Sequence, residues 1–313
     1  MSAVDAPSGT GLESVPVDPA AWVDTYRGTV FPWETDIVEH LTVAYYFERF
    51  ADATLNVLDS LGLGADYMRA ERRGCLTVDC YVRYMHELRV GDILHISSAV
   101  IGVEAQRLRL GHRVFNSDTG VLCATMEQRT VHMKLGTRAA EPLPSRQRRD
   151  AEVRQVVWDG PTREERWQPE STDGFIESAR DTVKPWEIDV FGQSAFPFHI
   201  HRFSAGGIQT FAAFGMTPAY MREQRRGMST FEFQLEFLGE LHAGDPVRVK
   251  TGLLHLGNSS IRVLHRMFNG RTGELVASLD QFGVHLDVDA RRPTAIPDAL
   301  RERARSVLIR PSA

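Results

Sequence analysis

Two aspartates stand just ahead of apolar-periodic stretches: Asp36 in Trp33-Glu-Thr-Asp36 and Asp189 in Trp186-Glu-Ile-Asp189. A carboxylate so placed can attack a carbonyl or activate a water. The N–H groups of the first helical turn, which have no intrahelical acceptor, can hold a developing oxyanion. The same position suits a plainer role, in which the aspartate caps or braces the loop. Four residues beyond Asp36 is His40, the side-chain type whose ordinary pKa lies near neutrality, and four beyond Asp189 is Gln193. Thr42 is placed to cap the helix start. Arg72-Arg73 and Arg225-Arg226 offer paired guanidinium groups suited to phosphate oxygens, or else a solvated face. Tyr45, Tyr46 and Trp33 could wall a cationic group through their ring faces, or could be core.

Other polar residues point to no chemistry. His112, His132, His265 and His285 fall in strand-like segments and read as satisfied structural residues. His199 and His201 are two apart on a helical pattern and diverge, so no metal site is expected. There is no Gly-rich phosphate loop and no Gly-x-Ser-x-Gly elbow, and no cofactor is expected.

The candidate residues come in pairs because the chain contains itself twice, at an ungapped offset of 153 residues. Arg27-Gly-Thr-Val-Phe-Pro-Trp-Glu-Thr-Asp36 returns as Arg180-Asp-Thr-Val-Lys-Pro-Trp-Glu-Ile-Asp189. Glu87-Leu-Arg-Val-Gly-Asp92 returns as Glu240-Leu-His-Ala-Gly-Asp245, and His112-Arg-Val-Phe-Asn116 as His265-Arg-Met-Phe-Asn269. A period this long is a whole domain duplicated and fused. The expected organisation is a first domain over 20–155, a linker over 156–172 and a second domain over 173–308.

Within each repeat the elements that must carry these residues are a strand, a long helix and then several strands. Residues 25–31 read as the first strand. Val43, Tyr46, Phe47, Phe50, Val57 and Leu58 recur at helical spacing over 42–61, stopped by Gly62, and 195–214 repeats the pattern. Ala53 and Thr54 become Gly206 and Gly207, each costing up to about 1 kcal/mol in helix propensity, which suggests close approach of another backbone. Leu76, Val78, Cys80 and Val82 alternate as a strand, and Asn116-Ser-Asp-Thr-Gly120 reads as a hairpin turn. Short charged helices are expected over 146–155 and 299–308, capped by Ser145 and Asp298. One long helix on an antiparallel sheet, made twice, is an α+β architecture.

Composition bounds the partners. At 313 residues and 42% hydrophobic the chain can bury two cores, and a net charge of -5 gives no general attraction to nucleic acid or anionic membrane. Cys75, Cys80 and Cys123 form no CxxC pair and leave one odd, which favours a reducing compartment. There is no long apolar run or leader, so the expected location is cytoplasmic. Residues 1–19, rich in Ser, Gly and Pro, read as a loose tail.

The order of elements resembles the hotdog fold, an antiparallel sheet wrapped around a central helix. The segment Trp33-Glu-Thr-Asp-Ile-Val-Glu-His-Leu-Thr-Val-Ala-Tyr-Tyr46 is similar to the D-x-x-G-H-x-N-x-x-x-Y loop of the 4-hydroxybenzoyl-CoA thioesterase-like family. From Tyr26 to Pro144 the first repeat also looks like the betainyl-CoA thioesterases. The resemblance implies two tandem hotdog domains forming an internal pseudo-dimer, and hydrolysis of an acyl-CoA to free acid and coenzyme A. It implies that Asp36 is the working carboxylate, that His40 occupies the family's histidine position, and that amides near 41–43 hold the oxyanion. The site set it suggests is Asp36, His40, Thr42 and Asp189 for chemistry, with Arg72, Arg73, Arg225, Arg226, Tyr45, Tyr46 and Gln193 for substrate. The chain departs from the family at Glu39, where glycine is usual, and at Thr42, where asparagine is usual. The second repeat restores glycine as Gly192 but carries Gln193 and a Phe196-Pro-Phe198 entry. A hotdog hydratase or dehydratase acting on acyl-CoA, and a non-catalytic acyl-CoA binding module, stay open as alternatives. Related single-domain proteins associate further, so a homodimer of the fused chain is expected.

Overall fold

A computed structural model describes residues 21–311; the stretch read as a tail lies outside them. The first repeat runs β1 (Val23–Thr29), α1 (Val43–Ser60), α2 (Ala65–Glu71), β2 (Arg73–Tyr84), β3 (Ile93–Val103), β4 (Arg107–Asn116), β5 (Leu122–Lys134) and α3 (Ser145–Val153). The second runs β6 (Ile176–Thr182), α4 (Phe196–Ala213), α5 (Pro218–Gln224), β7 (Arg226–Phe237), β8 (Pro246–Leu256), β9 (Ser260–Asn269), β10 (Leu275–Asp287), the short β11 (Arg292–Pro293) and α6 (Asp298–Ser306). All strands join one antiparallel sheet in the order β1-β3-β4-β5-β2-β7-β10-β9-β8-β6, with β11 on β10. This is the α+β pair of hotdog domains that the sequence implies, fused edge to edge.

The seam is the β2–β7 pair, in register from Asp79↔Glu236 to Arg83↔Glu232. Asp79 and Glu232 are repeat equivalents, as are Arg83 and Glu236, so a pseudo-twofold axis passes beside the Tyr81↔Gln234 pair. The long helices α1 and α4 pack on each other across this axis. Their apolar stripes form one core with the seam strands: Phe47 and Phe50 meet Phe203 and Phe233 with almost no exposure. Burial on that scale couples the halves. A chain ending at Gln155 would bare the β2 edge and one face of α1. We expect it to aggregate or self-pair, and a soluble, cooperatively unfolding monomer in sedimentation and urea experiments would contradict the shared core.

Several local expectations are revised. β1 is shifted two residues earlier than the expected 25–31, because Val30 leaves the ladder to donate to Asp92 O. α3 and α6 begin at Ser145 and Asp298 themselves, with Pro144 and Pro297 as N-cap residues that lend no side-chain bond. β2 does not simply alternate: a bulge between Thr77 and Asp79 resets it, and Cys80, Tyr81 and Val82 are all buried. Tyr81 is covered on the outer face by the segment joining α3 to β6, whose Thr162 carbonyl accepts its hydroxyl. In the same segment Arg163 clasps Asp79 at 2.7 Å and Arg166 clasps Glu232 at 2.5 Å, one carboxylate from each repeat. Of the two helix glycines, Gly206 is the crowded one, and its neighbour is a side chain: an added Cβ would lie 2.8 Å from Ser178 Oγ.

The recurring strand histidines are held within the core by hydrogen bonds, although His112 Nε2 has no partner among the described residues. His112 and His265 bond Ser98 and Thr251 at 2.6 and 2.7 Å, and His132 and His285 bond the hydroxyls of Tyr67 and Tyr220. Burial pushes His112 down to about 3 and His265 down to about 4, so both are neutral. The three cysteines are buried and unpaired. No helix among the described residues is long and apolar enough to cross a membrane.

Candidate active site

The loop ahead of α1 is held from behind. Glu34, buried beneath it, accepts the Phe31 N–H at 2.8 Å and the Arg49 guanidinium of α1 at 2.7 Å. Asp36 braces the turn with one oxygen, Oδ1 taking the Val38 N–H at 2.9 Å, so the plain bracing role is real. Its other oxygen, Oδ2, stands 3.4 Å from His40 Nε2, and His40 Nδ1 stands 3.3 Å from Glu87 Oε1. Glu87 Oε2 lies 3.4 Å from Nε of Arg291, which comes from the other repeat and donates through Nη1 to Val38 O at 2.6 Å. The result is a line of alternating charge, Asp36–His40–Glu87–Arg291, that crosses between repeats.

This line fixes the proton on His40. Burial works against the imidazolium, but hydrogen bonds and charge from Asp36 and Glu87 win and raise its pKa to about 9. Glu87 is held below the usual carboxylate range by its bond to His40, against the opposing pull of burial. Because the folded pKa of His40 exceeds its ordinary value of 6.5, its pairing stabilises the fold fully below that value. The contribution is lost as pH rises through about 9.

Oxyanion donors are fewer than the sequence suggests. The Leu41 N–H goes to Leu88 O at 2.7 Å and the Thr42 N–H to Glu34 O at 2.9 Å. That leaves Val43 and Ala44, whose N–H groups have no acceptor among the described residues, at the positive end of α1. Thr42 is the N-cap residue, though its side chain makes no cap bond. Asp36, His40, Thr42 and Tyr46 all line a cavity of about 580 Å³. Its opposite wall belongs to the other repeat: Ser204, Gly207 and Phe211 of α4, Ser229 and Thr230 of β7, and Gln281 of β10.

The equivalent place in repeat two is smaller, about 210 Å³, and lined by Asp189, Gln193, Phe196 and His199, with Thr54, Leu58 and Leu76 of repeat one opposite. Here Thr54 and Leu76 stand where the larger cavity has Gly207 and Ser229, and Phe196 where it has Val43, so side chains fill the space. Asp189 is raised, chiefly by burial, and Gln193 gives it a backbone bond at 3.3 Å in place of an imidazolium. Pro197 replaces Ala44 and removes one of the two free amides.

Of the remaining sequence candidates, Tyr46 alone lines a cavity. Tyr45 stands edge-on to His201 on the helix pair, whereas Tyr46 packs edge-on to Tyr84 inside the larger cavity. Trp33 stacks on Phe31 and is 68% exposed, so the three rings form no common cage. Arg72 is the exposed left-handed C-cap of α2, Arg73 pairs with Glu141, and Arg226 pairs with Asp287 at 3.1 Å. Arg225 alone approaches the loop of the other repeat, pairing with Glu39 at 2.9 Å, while Arg89 lies 3.7 Å from the same carboxylate. Glu39 adopts the left-handed backbone, φ +64°, that Gly192 takes in repeat two. Glu87 and Arg291 were not singled out from sequence, although both recur, as Glu240 and Arg138, and pair there at 3.1 Å.

Comparison with known proteins bears on the family and the fold. The family model described as thioesterase-like superfamily matches residues 30–154 and again 183–304. A betainyl-CoA thioesterase of Pseudomonas aeruginosa is 28% identical over 117 residues, which are 37% of this chain and 74% of that protein. An L-carnitine dehydrogenase/betainyl-CoA thioesterase of Agrobacterium fabrum is 32% identical over 123 residues, 39% of this chain and 22% of that protein. Among solved structures, an acyl-ACP thioesterase from Bacteroides thetaiotaomicron aligns with a TM-score of 0.65 at 13% identity, covering 84% of this chain and 98% of that one; the likeness is of fold.

Proposed function

Because the chain belongs to the thioesterase-like superfamily, whose model matches both of its repeats, we propose that it is an acyl-CoA thioesterase working at the Asp36 site. The observation that carries the reading is the Asp36–His40 pair at a helix N-terminus inside the larger cavity. Asp36 takes a proton from a water as the water oxygen bonds to the thioester carbon, and the Val43 and Ala44 amides hold the charge that develops on the carbonyl oxygen. The C–S bond then breaks, and His40 gives its proton to the departing thiolate. Free acid and coenzyme A leave, and the proton held by Asp36 passes to His40 across their 3.4 Å contact, which restores both groups. Arg89, Arg225 and Arg291, gathered where the loop meets the other repeat, suit the phosphates of coenzyme A. The reading also places the protein in the cytoplasm, in keeping with three unpaired buried cysteines, and as a homodimer of the fused chain.

Thiol release measured over a panel of acyl-CoAs tests the proposal. Hydrolysis of at least one is expected. Hydration of an enoyl-CoA without thiol release would favour the hydratase alternative, and acyl-CoA binding with neither reaction would favour a binding module. With an imidazolium as proton donor, turnover should stay level near neutral pH and fall as pH rises through about 9. The His40→Gln variant should be slow throughout and lack that alkaline limb. A wild-type profile still rising beyond that pH would argue against His40 as the acid.

A further inference from the structure

The two cavities differ most at one helix position and the glutamine beneath it. In repeat one, the Thr54 hydroxyl takes a hydrogen bond from Gln128 Nε2 at 2.9 Å, and Thr54, not Gln128, lines the smaller cavity. In repeat two the same places hold Gly207 and Gln281, and Gln281 lines the larger cavity. The space above it is open: a Cβ on Gly207 would meet nothing nearer than Phe211 at 3.8 Å and His265 at 3.9 Å. The Gln281 amide is oriented from behind, Nε2 donating to Thr230 Oγ1 at 2.9 Å and Oε1 accepting from His265 Nε2 at 3.2 Å. Each amide atom keeps a further hydrogen-bonding direction free.

Gln281 carries no formal charge; the charges that line the cavity sit on Asp36, His40, Glu87, Arg89 and Arg291.

We infer that the chamber takes an acyl group bearing an uncharged oxygen, a hydroxyl or keto group, and that Gln281 binds it. This rests on reading the Asp36 site as one for acyl-CoA thioesters. A site that offers hydrogen bonds to such an oxygen discriminates strongly against the chain that lacks it, because the site's own polar groups are then stranded.

The experiment compares straight-chain acyl-CoAs of short to medium length, each with and without a terminal hydroxyl, together with an acyl-CoA ending in a quaternary ammonium group. In the native chain the best hydroxylated member should exceed its plain partner by about a hundredfold in kcat/KM. Gln281→Leu should bring that ratio toward one. Gly207→Thr, which restores the hydroxyl found at Thr54, should also lower it and should cost the longer acyl groups more than the short ones. The same pairs made as non-hydrolysable thioethers and titrated calorimetrically separate two failures. Tighter binding of the hydroxylated thioether with no hydrolysis of any member would retain this inference and reject the thioesterase reading. Equal or better handling of the plain or quaternary ammonium chain, or a preference that survives both substitutions, would overturn the inference.

Discussion

Asp36→Asn is expected to lower turnover by about a hundredfold or more, while Asp189→Asn leaves it close to that of the native chain. The amide retains an oxygen that can take the Val38 N–H, so the loop should keep its shape, and circular dichroism with an unchanged melting temperature would establish that. What the substitution removes is the basic oxygen beside His40. Asp189 faces a smaller cavity, has Gln193 where an imidazolium would stand, and sits below a helix end with one free amide in place of two. Steady-state kinetics of both variants on one substrate decide the matter. Equal losses would mean that both sites work, and full activity in Asp36→Asn would reject the assignment.

Glu232→Ala should destabilise the whole chain by about 2 kcal/mol, below the scale of a fully buried ion pair because both of its arginines reach solvent. Glu232 is 4% exposed and receives Arg166 from the crossing segment and Arg83 from the neighbouring strand of the other repeat. Removing it takes the carboxylate from Arg83 and leaves Arg166 only the exposed Glu164. Arg154→Ala, which loses two exposed bonds to Ser60, serves as the control and should change stability little. Urea unfolding of both variants, followed by fluorescence and circular dichroism together, provides the measurement. A change in Glu232→Ala no larger than in the control would mean that the crossing segment contributes nothing at the seam.

The sequence made the framework legible because duplication places every informative residue twice. The helix bounds 42–61 and 195–214 fall on the observed cap residues, Thr42 with Leu61 and Ala195 with Phe214, because the stripe and its terminating glycine are local signals. The pairing of Asp36 with His40 was likewise visible, since four residues across a tight turn bring two side chains together. Glu87 was not, although it recurs as Glu240. It lies on a separate connection, and its Gly-Asp neighbours read as a turn. Arg291 needed the fold itself, because only the β2–β7 seam brings it to the loop of the other repeat. The difference in cavity size was half legible. Phe196 announced a crowded entry, but the space above Gln281 depends on which α4 residue lies over which β10 residue, and helical periodicity alone does not supply that register. The arginine pairs were legible only as a residue type suited to phosphate; the left-handed backbone of Arg72 and Arg225 makes each pair a helix end, and acidic neighbours hold Arg73, Arg225 and Arg226.

The pseudo-twofold seam divides labour between the two copies in a way that a dimer of identical chains could not. Each cavity takes its loop and helix start from one copy and its facing wall from the other. In a dimer of identical subunits, a glycine that opened one chamber would open both. Here Gly207 and Ser229 enlarge only the chamber opposite them, while Thr54 and Leu76 keep the other small. The loop of the larger site therefore descends from the first copy of the gene segment and its molecular shape from the second, so the two can be altered separately. A drift in substrate preference at Asp36 should be written in the sequence that follows β6.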